Sequence, residues 1–536
     1  MTKEKLIGTV MAVNSSSLSV VLNQGITSLS KELNGKVYYI GQLGTYVLIP
    51  LGHTTVVAVV SDLRKTDIAE NGRSTQRYMM SVSTVGTVKE GKFERGLAVF
   101  PTVDTPVYLA EDSDLRAAFS VFQRFDFSVG NLTLFEHERA YLDPNRFFGK
   151  HIAVLGSTGS GKSCTVSSII QKVSFLKDSN VIILDLHNEY ARAFPKDSNH
   201  LNIAEVELPY WLMNFEELQE IFIDEREPSS ASQITVFKDQ IIASKKAKNP
   251  SLASYITVDT PVYFDLSEIR ARMQFLDTER ITGLGAAGVK DGPFYGQFTR
   301  FLVRLDSKLN DSRYAFVFKP KTYTHSETIK DLLARIFGID GNAQVTIMDL
   351  SGVPFDVVNI MVSLIARLTF DFNFWNPNRR EYPVQLVFEE AHNYLPASSQ
   401  GSAAARRTVE RIAKEGRKYG VSCMIVSQRP SEVSETILSQ CNNYVILRLT
   451  NPVDQNFVRK LVPDTFAGLI EILSSLRQGE ALVLGDAVSM PSRVQLDYPS
   501  PEPDSADIKF FDKWKQSATS TRIDDVVDRW WKQIRT

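Results

Sequence analysis

Hydrophobic positions between Ile7 and Leu109 fall in short runs rich in Val, Ile, Thr and Tyr, which Gly and Pro separate. Runs of this length and spacing are typical of the strands of a small β-barrel. The predicted strands are residues 7–13, 18–22, 46–49, 54–61, 79–88 and 96–100. No catalytic constellation occurs among them, so we interpret residues 1–125 as a structural or assembly barrel. Binding of a peptide or a nucleic acid is the alternative.

The pattern changes near Phe148, where an apolar strand, a Gly-rich turn, a helical run and a second apolar strand follow one another. These elements, at residues 152–155, 162–175 and 181–184, indicate an α/β fold with a parallel-rich sheet. Later predicted strands are residues 315–318, 344–350, 384–388, 421–426, 444–449 and 481–484, with helices at 356–370 and 406–419. We therefore expect the sheet core to occupy residues 126–204 and 309–498.

Helical periodicity dominates residues 205–308, between the two parts of the expected core. The predicted helices cover residues 211–223, 231–246 and 267–275. We interpret this segment as a helical-bundle insertion. The last segment, residues 499–536, opens with a Pro-marked break and then carries the aromatic side chains Phe510, Phe511, Trp514, Trp530 and Trp531. Exposing all of these is costly, so they either brace a neighbouring subunit or dock on their own core.

The length of 536 residues predicts several domains, because a single hydrophobic core stops growing well before this size. The net charge is −2, from 60 basic and 62 acidic residues, so any nucleic-acid contact needs a local basic surface. Cys164, Cys423 and Cys441 lie in no CxxC spacing, which argues against a disulfide framework or a zinc site. We expect a cytoplasmic protein without membrane insertion, since no secretion signal occurs and the richest apolar run, residues 357–366, is short.

A phosphate-binding motif lies between the first predicted core strand and the following helix. The segment matches GxxxxGK[ST] with the residues Gly156, Ser157, Thr158, Gly159, Ser160, Gly161, Lys162 and Ser163. Its glycines let several N–H groups converge on one anion at a helix N-terminus. Lys162 is expected to reach the β- and γ-phosphates of ATP and Ser163 to ligate Mg²⁺. Cys164, the next residue of the nucleotide-binding segment, is interpreted as a small packed side chain. For the motif as a whole, a Gly/Ser turn that binds no ligand is the alternative.

A second acidic element follows the apolar strand at residues 384–388, where Glu389 and Glu390 are adjacent. Neighbouring residues on an extended chain point in opposite directions, so the two carboxylates have different roles. We assign Glu389 to the Mg²⁺ shell, through water. We assign Glu390 to orienting and deprotonating the attacking water.

Further polar residues end two other predicted strands. Asp185 and Glu189 are candidates for positioning Mg²⁺ or relaying the nucleotide state, because strand carboxyl ends face the ligand crevice of a parallel sheet. Helix capping is the alternative role for Asp185, and His187 is interpreted as a hydrogen-bonded spacer. Gln428 places an amide beside the γ-phosphate, where it can sense hydrolysis; a turn-forming glutamine is the alternative.

Taken together, these motifs resemble the HerA hexameric DNA translocases of the HerA/FtsK superfamily. The resemblance covers residues 1–500 and is specific from the phosphate loop onward, while the N-terminal part resembles the HerA/ATP-synthase barrel only in architecture. The segments that carry it are residues 156–163, 185–190, 389–392, 412–420, 427–430, 438–442 and 447–452.

The resemblance implies a RecA-like ATPase core, six subunits in a ring, double-stranded DNA in the central channel, and nucleotide pockets between subunits. Arg417 matches the arginine that the family supplies in trans to a neighbouring pocket, and a surface arginine is the alternative. A second family arginine aligns with Lys150, so this sequence departs from the pattern there, with Arg146 as a substitute. Glu389 stands where many members carry Asp.

Two basic segments are DNA-contact candidates. Residues 396–407 end in Arg406 and Arg407 directly after the hydrolytic carboxylate, and Lys245, Lys246 and Lys248 lie in the helical insertion. DNA would be held mostly through its phosphates. A solvated face is the alternative for each segment, and the first segment is the preferred candidate.

The expected function is that of an ATP- and Mg²⁺-dependent, ring-forming DNA translocase or helicase. The resemblance implies a partner nuclease or a sirtuin-like effector, in DNA processing or antiphage defence, since this sequence has no nuclease constellation of its own. One alternative is an ATP-regulated hexameric scaffold that activates an effector. Another is a nucleotide-binding switch without DNA contact.

Overall fold

A computed structural model describes residues 2–14, 17–26, 28–70, 73–135, 138–196, 198–282, 288–339, 341, 343–398, 403–506, 508–515 and 522–532. The chain forms two compact units of similar size. The first contains residues 1–173, 390–392 and 422–502, and the second contains residues 174–389, 393–421 and 503–536. Within the described ranges, no helix is both long and apolar enough to cross a bilayer.

The N-terminal part of the first unit is a closed barrel. Its region contains β1 (Leu6–Val13), β2 (Leu18–Leu22), β3 (Ser30–Leu33), β4 (Lys36–Tyr39), β5 (Tyr46–Leu51), β6 (Thr54–Glu70), β7 (Arg73–Lys89), β8 (Lys92–Arg95) and β9 (Pro106–Leu109). Six strands pair in the order β2-β1-β9-β5-β6-β7, and β2 also pairs with β7, which closes the ring. Alternate residues such as Ile7, Val20, Ile49, Val56 and Val82 fill the interior. The predicted barrel is therefore confirmed.

Two details of the barrel differ from the prediction. Residues 96–100 are not a strand, because Gly96 has a φ of +88° and turns the chain out of the extended conformation. The last barrel strand is β9 instead. The strands predicted at 54–61 and 79–88 belong to a much longer hairpin, since both β6 and β7 contain 17 residues.

The remaining elements alternate between helices and strands as the sequence pattern indicates. In chain order they are α1 (Asp112–Phe119), β10 (Ser128–Leu132), β11 (Arg139–Tyr141), α2 (Pro144–Phe148), β12 (His151–Leu155), α3 (Lys162–Gln171), β13 (Val181–Asp185), β14 (Ser198–Asn202), α4 (Ile203–Val206), α5 (Phe215–Phe222), α6 (Ser230–Lys248), α7 (Leu266–Thr278), β15 (Arg280–Thr282), β16 (Val289–Asp291), α8 (Thr299–Asn310), α9 (Ala315–Phe318), α10 (Ile329–Ile336), β17 (Val345–Asp349), α11 (Phe355–Trp375), β18 (Val384–Phe388), α12 (Ala404–Glu415), β19 (Val421–Ser427), α13 (Glu435–Ser439), β20 (Cys441–Leu447), α14 (Pro452–Leu461), β21 (Glu480–Gly485), β22 (Ser492–Leu496), α15 (Phe510–Lys515) and α16 (Ile523–Lys532). A long 3₁₀ segment, Asp464–Ser475, follows α14.

In the first unit, β12 lies between β19 and β20 and carries the phosphate loop at its carboxyl end. It pairs in parallel with β19 on one side and β20 on the other, so that Leu155 lies beside Ser427 and Ile446. All five residues of β12 are buried, as expected for a parallel strand covered on both faces. Beyond β20, the strands β21, β22, β10 and β11 continue the sheet with antiparallel pairing.

The second unit contains a parallel sheet in the order β18-β13-β17-β14 and the helices α4 to α8. The helices predicted between residues 205 and 308 are confirmed, and a short hairpin, β15–β16, separates α7 from α8. The strand predicted at residues 315–318 is wrong, because this segment is the helix α9 with Phe316, Val317 and Phe318 all buried. A four-residue apolar run does not distinguish a buried strand from a buried helical turn.

The C-terminal helices α15 and α16 carry the aromatic residues noted in the sequence. Phe510, Phe511, Trp514, Trp530 and Trp531 are exposed. Docking of these side chains on the chain's own core is therefore not observed. Bracing of a neighbouring subunit stays a prediction.

Candidate nucleotide-hydrolysis site

The loop between β12 and α3 has the backbone conformation that the motif predicts. Gly159 and Gly161 have φ values of +71° and +102°, which favour glycine. At Gly156, a Cβ atom would lie 2.6 Å from Ser160 Oγ and 2.9 Å from Leu447 Cβ. Glycine is therefore required at Gly156 by close packing and at the other two positions by backbone conformation.

Backbone hydrogen bonds hold this phosphate loop against the ends of the neighbouring strands. The Gly156 N–H donates to the Ser427 carbonyl at 3.2 Å, and the Ser157 N–H donates to the Arg448 carbonyl at 2.9 Å. The Ser160 carbonyl accepts from the N–H of Gly479 at 3.0 Å. The loop is thus tied to both strands that flank β12 and to the segment before β21.

The polar groups of the loop fit a polyphosphate. Lys162 is only 6 % exposed, and its Nζ donates to the Ser157 carbonyl at 3.4 Å, so the ammonium group is held within the loop. Within the described residues, the buried hydroxyl of Ser160 has no hydrogen-bond partner. A buried cation and a buried, unsatisfied hydroxyl donor in the same loop suit an anionic ligand.

Glu390 lies in the same unit as the phosphate loop and is 6 % exposed. Its backbone φ of +48° lies in the left-handed region, which residues other than glycine adopt only at a cost in conformational energy. One carboxylate oxygen, Oε1, accepts a hydrogen bond from Gln428 Nε2. The other, Oε2, lies 3.3 Å from His392 Nδ1 but forms no hydrogen bond within the described part of the chain. A buried carboxylate oxygen without a donor is suited to accept a proton or hold a water molecule.

Gln428 connects this carboxylate to the phosphate loop. While its Nε2 donates to Glu390, its Oε1 accepts a hydrogen bond from the hydroxyl of Thr158. Both donor and acceptor of one amide are therefore used, which fixes its orientation. The sequence analysis predicts that Gln428 lies near the γ-phosphate, but nothing in the sequence indicates Thr158 as its hydrogen-bond partner.

His392 contacts the same cluster from the segment after Glu390. Its Nδ1 lies 3.3 Å from the Ser427 hydroxyl, which in turn accepts from the N–H of Arg429. Burial lowers the pKa of His392, and it outweighs the effect of the nearby Glu390 carboxylate, which raises it. The imidazole is therefore held in its neutral form. The sequence resemblance covered His392 without assigning it a role.

In the second unit, Glu389 is bound by two tyrosines. It is 2 % exposed, and its Oε2 accepts a hydrogen bond from the Tyr190 hydroxyl at 2.8 Å. The Tyr394 hydroxyl donates to the Glu389 backbone carbonyl at 2.6 Å. Burial, followed by the charge of Glu389, raises the pKa of Tyr190 well above its usual value. The phenol thus stays protonated and orients the Glu389 carboxylate, a role that sequence reasoning missed.

Asp185 is fully buried at the end of β13, where both carboxylate oxygens accept backbone hydrogen bonds. Oδ1 accepts from the N–H of His187 at 3.2 Å and Oδ2 from the N–H of Tyr190 at 2.9 Å. Burial raises the pKa of Asp185, although these N–H groups oppose the shift. Asp185 thus stabilises the turn after β13, which includes His187, but it does not cap the following 3₁₀ helix Ala191–Ala193, whose N-cap is Tyr190.

Arg417 lies in the 3₁₀ turn Gly416–Tyr419 that follows α12. The side chain is exposed, and no ion pair to it occurs in the described ranges. Lys150 is paired with Asp486, while Arg146 forms an ion pair with Asp143 at 3.3 Å. Of these three cations, Arg417 is the one whose charge faces solvent without a carboxylate partner.

The prediction that Lys245 contacts DNA is wrong. Lys245 is 0 % exposed, and its Nζ donates to the Val258 and Thr260 carbonyls, both at 2.6 Å. Burial lowers the pKa of Lys245 to about 7. The side chain fastens a loop of the helical insertion, so it does not present a surface charge.

Of the other basic candidates, Lys246, Lys248 and Arg407 are exposed, whereas Arg406 is half-buried. Lys248 forms an ion pair with Glu268 at 2.7 Å. Arg406 lies 3.6 Å from Glu410, and Arg407 lies 2.6 Å from Glu216. Residues 399–402, in the middle of the preferred DNA-contact segment, lie outside the described residues. Contact of these side chains with DNA stays a prediction.

The first unit contains parallel strands with a glycine-rich phosphate loop at the carboxyl end of β12, a lysine in that loop and a buried glutamate linked to the loop by hydrogen bonds. These features define a P-loop ATPase. Residues 127–369 match the family model described as "Helicase HerA, central domain". The chain is therefore similar to the HerA helicases in this region, and it is an ATP-hydrolysing enzyme.

Curated relatives with similar sequences carry the same family name. The chain is 28 % identical to the DNA double-strand break repair helicase HerA of Saccharolobus solfataricus over 79 % of this chain and 78 % of that protein. It is also 28 % identical to the protein of the same name from Pyrococcus furiosus, over 80 % of each chain. Among solved structures, VirB4 of Thermoanaerobacter pseudethanolicus superposes with a TM-score of 0.48 and 15 % identity, covering 69 % of this chain and 96 % of that one.

Proposed function

We propose that this protein is an ATP-driven DNA translocase of the HerA type, which works as a ring of identical subunits on double-stranded DNA. The observation that carries the proposal is the hydrogen-bonded chain from Thr158 through Gln428 to Glu390. Through it, a change at the phosphate loop reaches the hydrolytic carboxylate directly. Such a link suits an ATPase whose turnover is coupled to movement.

The residues of the first unit supply the hydrolysis chemistry. Lys162 and the loop N–H groups bind the β- and γ-phosphates, and Glu390 orients the attacking water and accepts its proton at Oε2. Ser163 would hold Mg²⁺ at the phosphate loop, where the ion would supply neutralisation of the phosphate charge. The assignment of Glu389 to the Mg²⁺ shell stays a proposal from the sequence. Asp185 is bound by backbone N–H groups, which supports a role in shaping its own turn over a role as a metal ligand.

Ring formation is supported by the exposed Arg417. An arginine that acts on a neighbour's nucleotide must stay free of carboxylates in its own subunit, and Arg417 meets that condition in the described ranges. DNA as the substrate is supported by the curated relatives, which are named DNA double-strand break repair helicases. In the proposed hexamer, the segment ending in Arg406 and Arg407 faces the DNA.

We also propose a partner enzyme, a nuclease or a sirtuin-like effector, which acts on the DNA that the ring moves or in antiphage defence. The similarity to HerA double-strand break repair helicases supports this part of the proposal. The exposed aromatic residues of α15 and α16 favour a second candidate function. In that case the ring is an ATP-regulated scaffold, and its main task is to assemble and activate the effector.

One set of measurements tests the proposal. ATP hydrolysis is measured with and without duplex DNA for the parent protein, Lys162→Ala and Glu390→Gln, and the mass of the assembly is measured for each. A translocase is stimulated by duplex DNA, and both variants lose turnover while the mass corresponds to a ring. A scaffold keeps effector activation in Glu390→Gln. A monomer at all concentrations, or unchanged hydrolysis by Lys162→Ala, contradicts the proposal.

A further inference from the structure

The segment that follows the last strand of the first unit packs against the C-terminal end of the phosphate-loop helix α3. At the C-terminal end of α3, Gln171 Oε1 accepts from the Ser500 N–H at 2.9 Å, and Gln171 Nε2 donates to the Pro501 carbonyl at 2.8 Å. The next residue, Lys172, forms an ion pair of 2.7 Å with Asp497. Residues 497–501 are therefore fixed against α3 by side-chain hydrogen bonds at one of its ends.

Tyr498 belongs to this segment and reaches the other end of α3. Cys164, in the first turn of α3, is its electrostatic and hydrogen-bonding neighbour, and the thiol raises the pKa of Tyr498. Cys164 and Gln171 are seven residues apart, so they share one face of the helix. The segment stays at the Gln171 end, and the Tyr498 side chain extends from it along that face towards the phosphate loop.

The Tyr498 ring is held at its hydroxyl and open at its faces. The hydroxyl donates to Glu502 Oε2 at 3.3 Å, and the residue as a whole is 69 % exposed. An aromatic ring of this size that stays exposed on a fixed segment is a ready platform for stacking. Every nucleic-acid base offers a flat π-face to such a platform.

The position of this ring relative to the phosphate loop decides what it can stack on. Cys164 follows Lys162 by two residues, which is roughly 3 Å along the helix axis. A nucleotide whose phosphates lie in the loop must extend its sugar and base away from it, past the first turn of α3. We propose that Tyr498 stacks on the base of the bound nucleotide, with Glu502 and Cys164 positioning the ring.

This inference rests on nucleotide binding by the phosphate loop, and it adds a base-recognition element to that site. Stacking is tolerant of base identity, so the site is expected to accept adenine and guanine nucleotides with similar affinity. Recognition of the triphosphate and recognition of the base are then carried by separate parts of the same unit.

The test compares two ligands of the full-length protein, ATP and inorganic tripolyphosphate, which lacks a base. Loss of stacking in Tyr498→Ala is expected to raise the Kd for ATP about tenfold. The Kd for tripolyphosphate is expected to stay unchanged, and Tyr498→Trp should bind ATP as the parent does. In steady-state hydrolysis the change falls on KM, with kcat maintained. Tyr255→Ala, which removes an exposed tyrosine of the second unit, is the matched control.

Other results of the same binding measurements would overturn the inference. An unchanged ATP Kd in Tyr498→Ala overturns the inference, and so does an equal loss for both ligands in a folded protein. If Tyr498→Ala does not fold, Tyr498→Leu is compared with Tyr498→Phe, and equal ATP affinity of these two variants overturns it. Tripolyphosphate binding by the parent separates this inference from the proposed function, because it reports on the phosphate loop alone.

Discussion

The Gln428 amide donates a hydrogen bond to the Glu390 carboxylate, and both residues lie in the unit that carries the phosphate loop. The bond occupies one oxygen of the carboxylate and leaves Oε2 without a hydrogen-bond donor in the described part of the chain. Gln428 is therefore a positioning residue: it directs the second oxygen without taking part in proton transfer.

Replacing Gln428 by Leu is expected to lower kcat about tenfold or more, because a hydrogen bond to a charged group contributes about 1.5–3 kcal/mol. The Kd for ATP should change little, since the phosphate loop keeps its backbone contacts. Hydrolysis rates and nucleotide binding measure the two effects separately. Thr158→Val removes only the other end of the amide bridge, so its effect on kcat should be smaller. An equal loss of ATP affinity in Gln428→Leu would contradict this role.

Mixing two inactive variants tests whether Arg417 acts on a neighbouring subunit. Lys162→Ala removes the phosphate ligand and Arg417→Ala removes the arginine, so each pure ring should be inactive. In a mixed ring, a site that combines the intact lysine of one subunit with the intact arginine of the next is complete. Random one-to-one mixing completes roughly a quarter of the sites at such a head-to-tail interface. A mixture as inactive as its components shows that Arg417 acts within its own subunit or has no catalytic role.

The lowered pKa of His392 predicts that the protein loses stability in acid. Burial, and then the charges of Lys162 and Arg429, lower its pKa below the usual 6.5, while Glu390 and Glu432 act in the opposite direction. Because the unfolded chain takes up the proton first as the pH falls below 6.5, the free energy of unfolding decreases there. The contribution is complete above 6.5, where both states are neutral.

This dependence is measured as the urea midpoint of the parent and of His392→Asn between about pH 7.5 and pH 5.5. The parent should lose more stability over this range than the variant. His187→Asn, which replaces a histidine in the second unit, serves as the control. Parallel curves for the parent and His392→Asn would show that the imidazole does not resist protonation in the folded protein.

The lowered pKa of Lys245 predicts that stability also rises with pH in the alkaline range. Its pKa is lowered from 10.5 to about 7, mainly by burial, with Arg367 acting in the same direction and Asp259 against it. Between these two values the unfolded chain binds the extra proton, so the free energy of unfolding rises with pH. The slope is at most about 1.4 kcal/mol per pH unit, and the contribution is flat below pH 7.

Lys245→Met should lack this rise, whereas Lys246→Met, which changes an exposed neighbour, should keep it. The midpoint of chemical unfolding against pH measures both variants. DNA binding by Lys245→Met should equal that of the parent, since the ammonium group is not at the surface. Weaker DNA binding by a folded Lys245→Met would contradict the assignment of Lys245 to the interior.

The parts of the fold that sequence reasoning predicted are those with local signals. The phosphate loop is one, because its strand, glycines and helix all lie between His151 and Gln171. The strand β18 and its carboxylates are another, since a five-residue apolar run ending in acids is visible in the sequence. The closed barrel also follows from short alternating strands with frequent turn residues.

The features that were missed depend on partners far along the chain. Lys245 is buried by the carbonyls of Val258 and Thr260, and nothing in its own segment indicates that they lie beside it. Tyr190 meets Glu389 across 199 positions of sequence. The strands β10 and β22 pair with each other although they are more than 300 residues apart, and both are too short and polar to show a strand pattern.

Closure of the barrel has a consequence for how the chain is made. The strand β2 completes its pairing only with residues 79–82 of β7, about sixty positions later. During synthesis, the first strands therefore leave the ribosome with an open edge that stays unpaired until that part of β7 has been translated. Slowing elongation between these strands would prolong the time during which nascent chains can aggregate through that edge, whereas the final folded product would be unchanged.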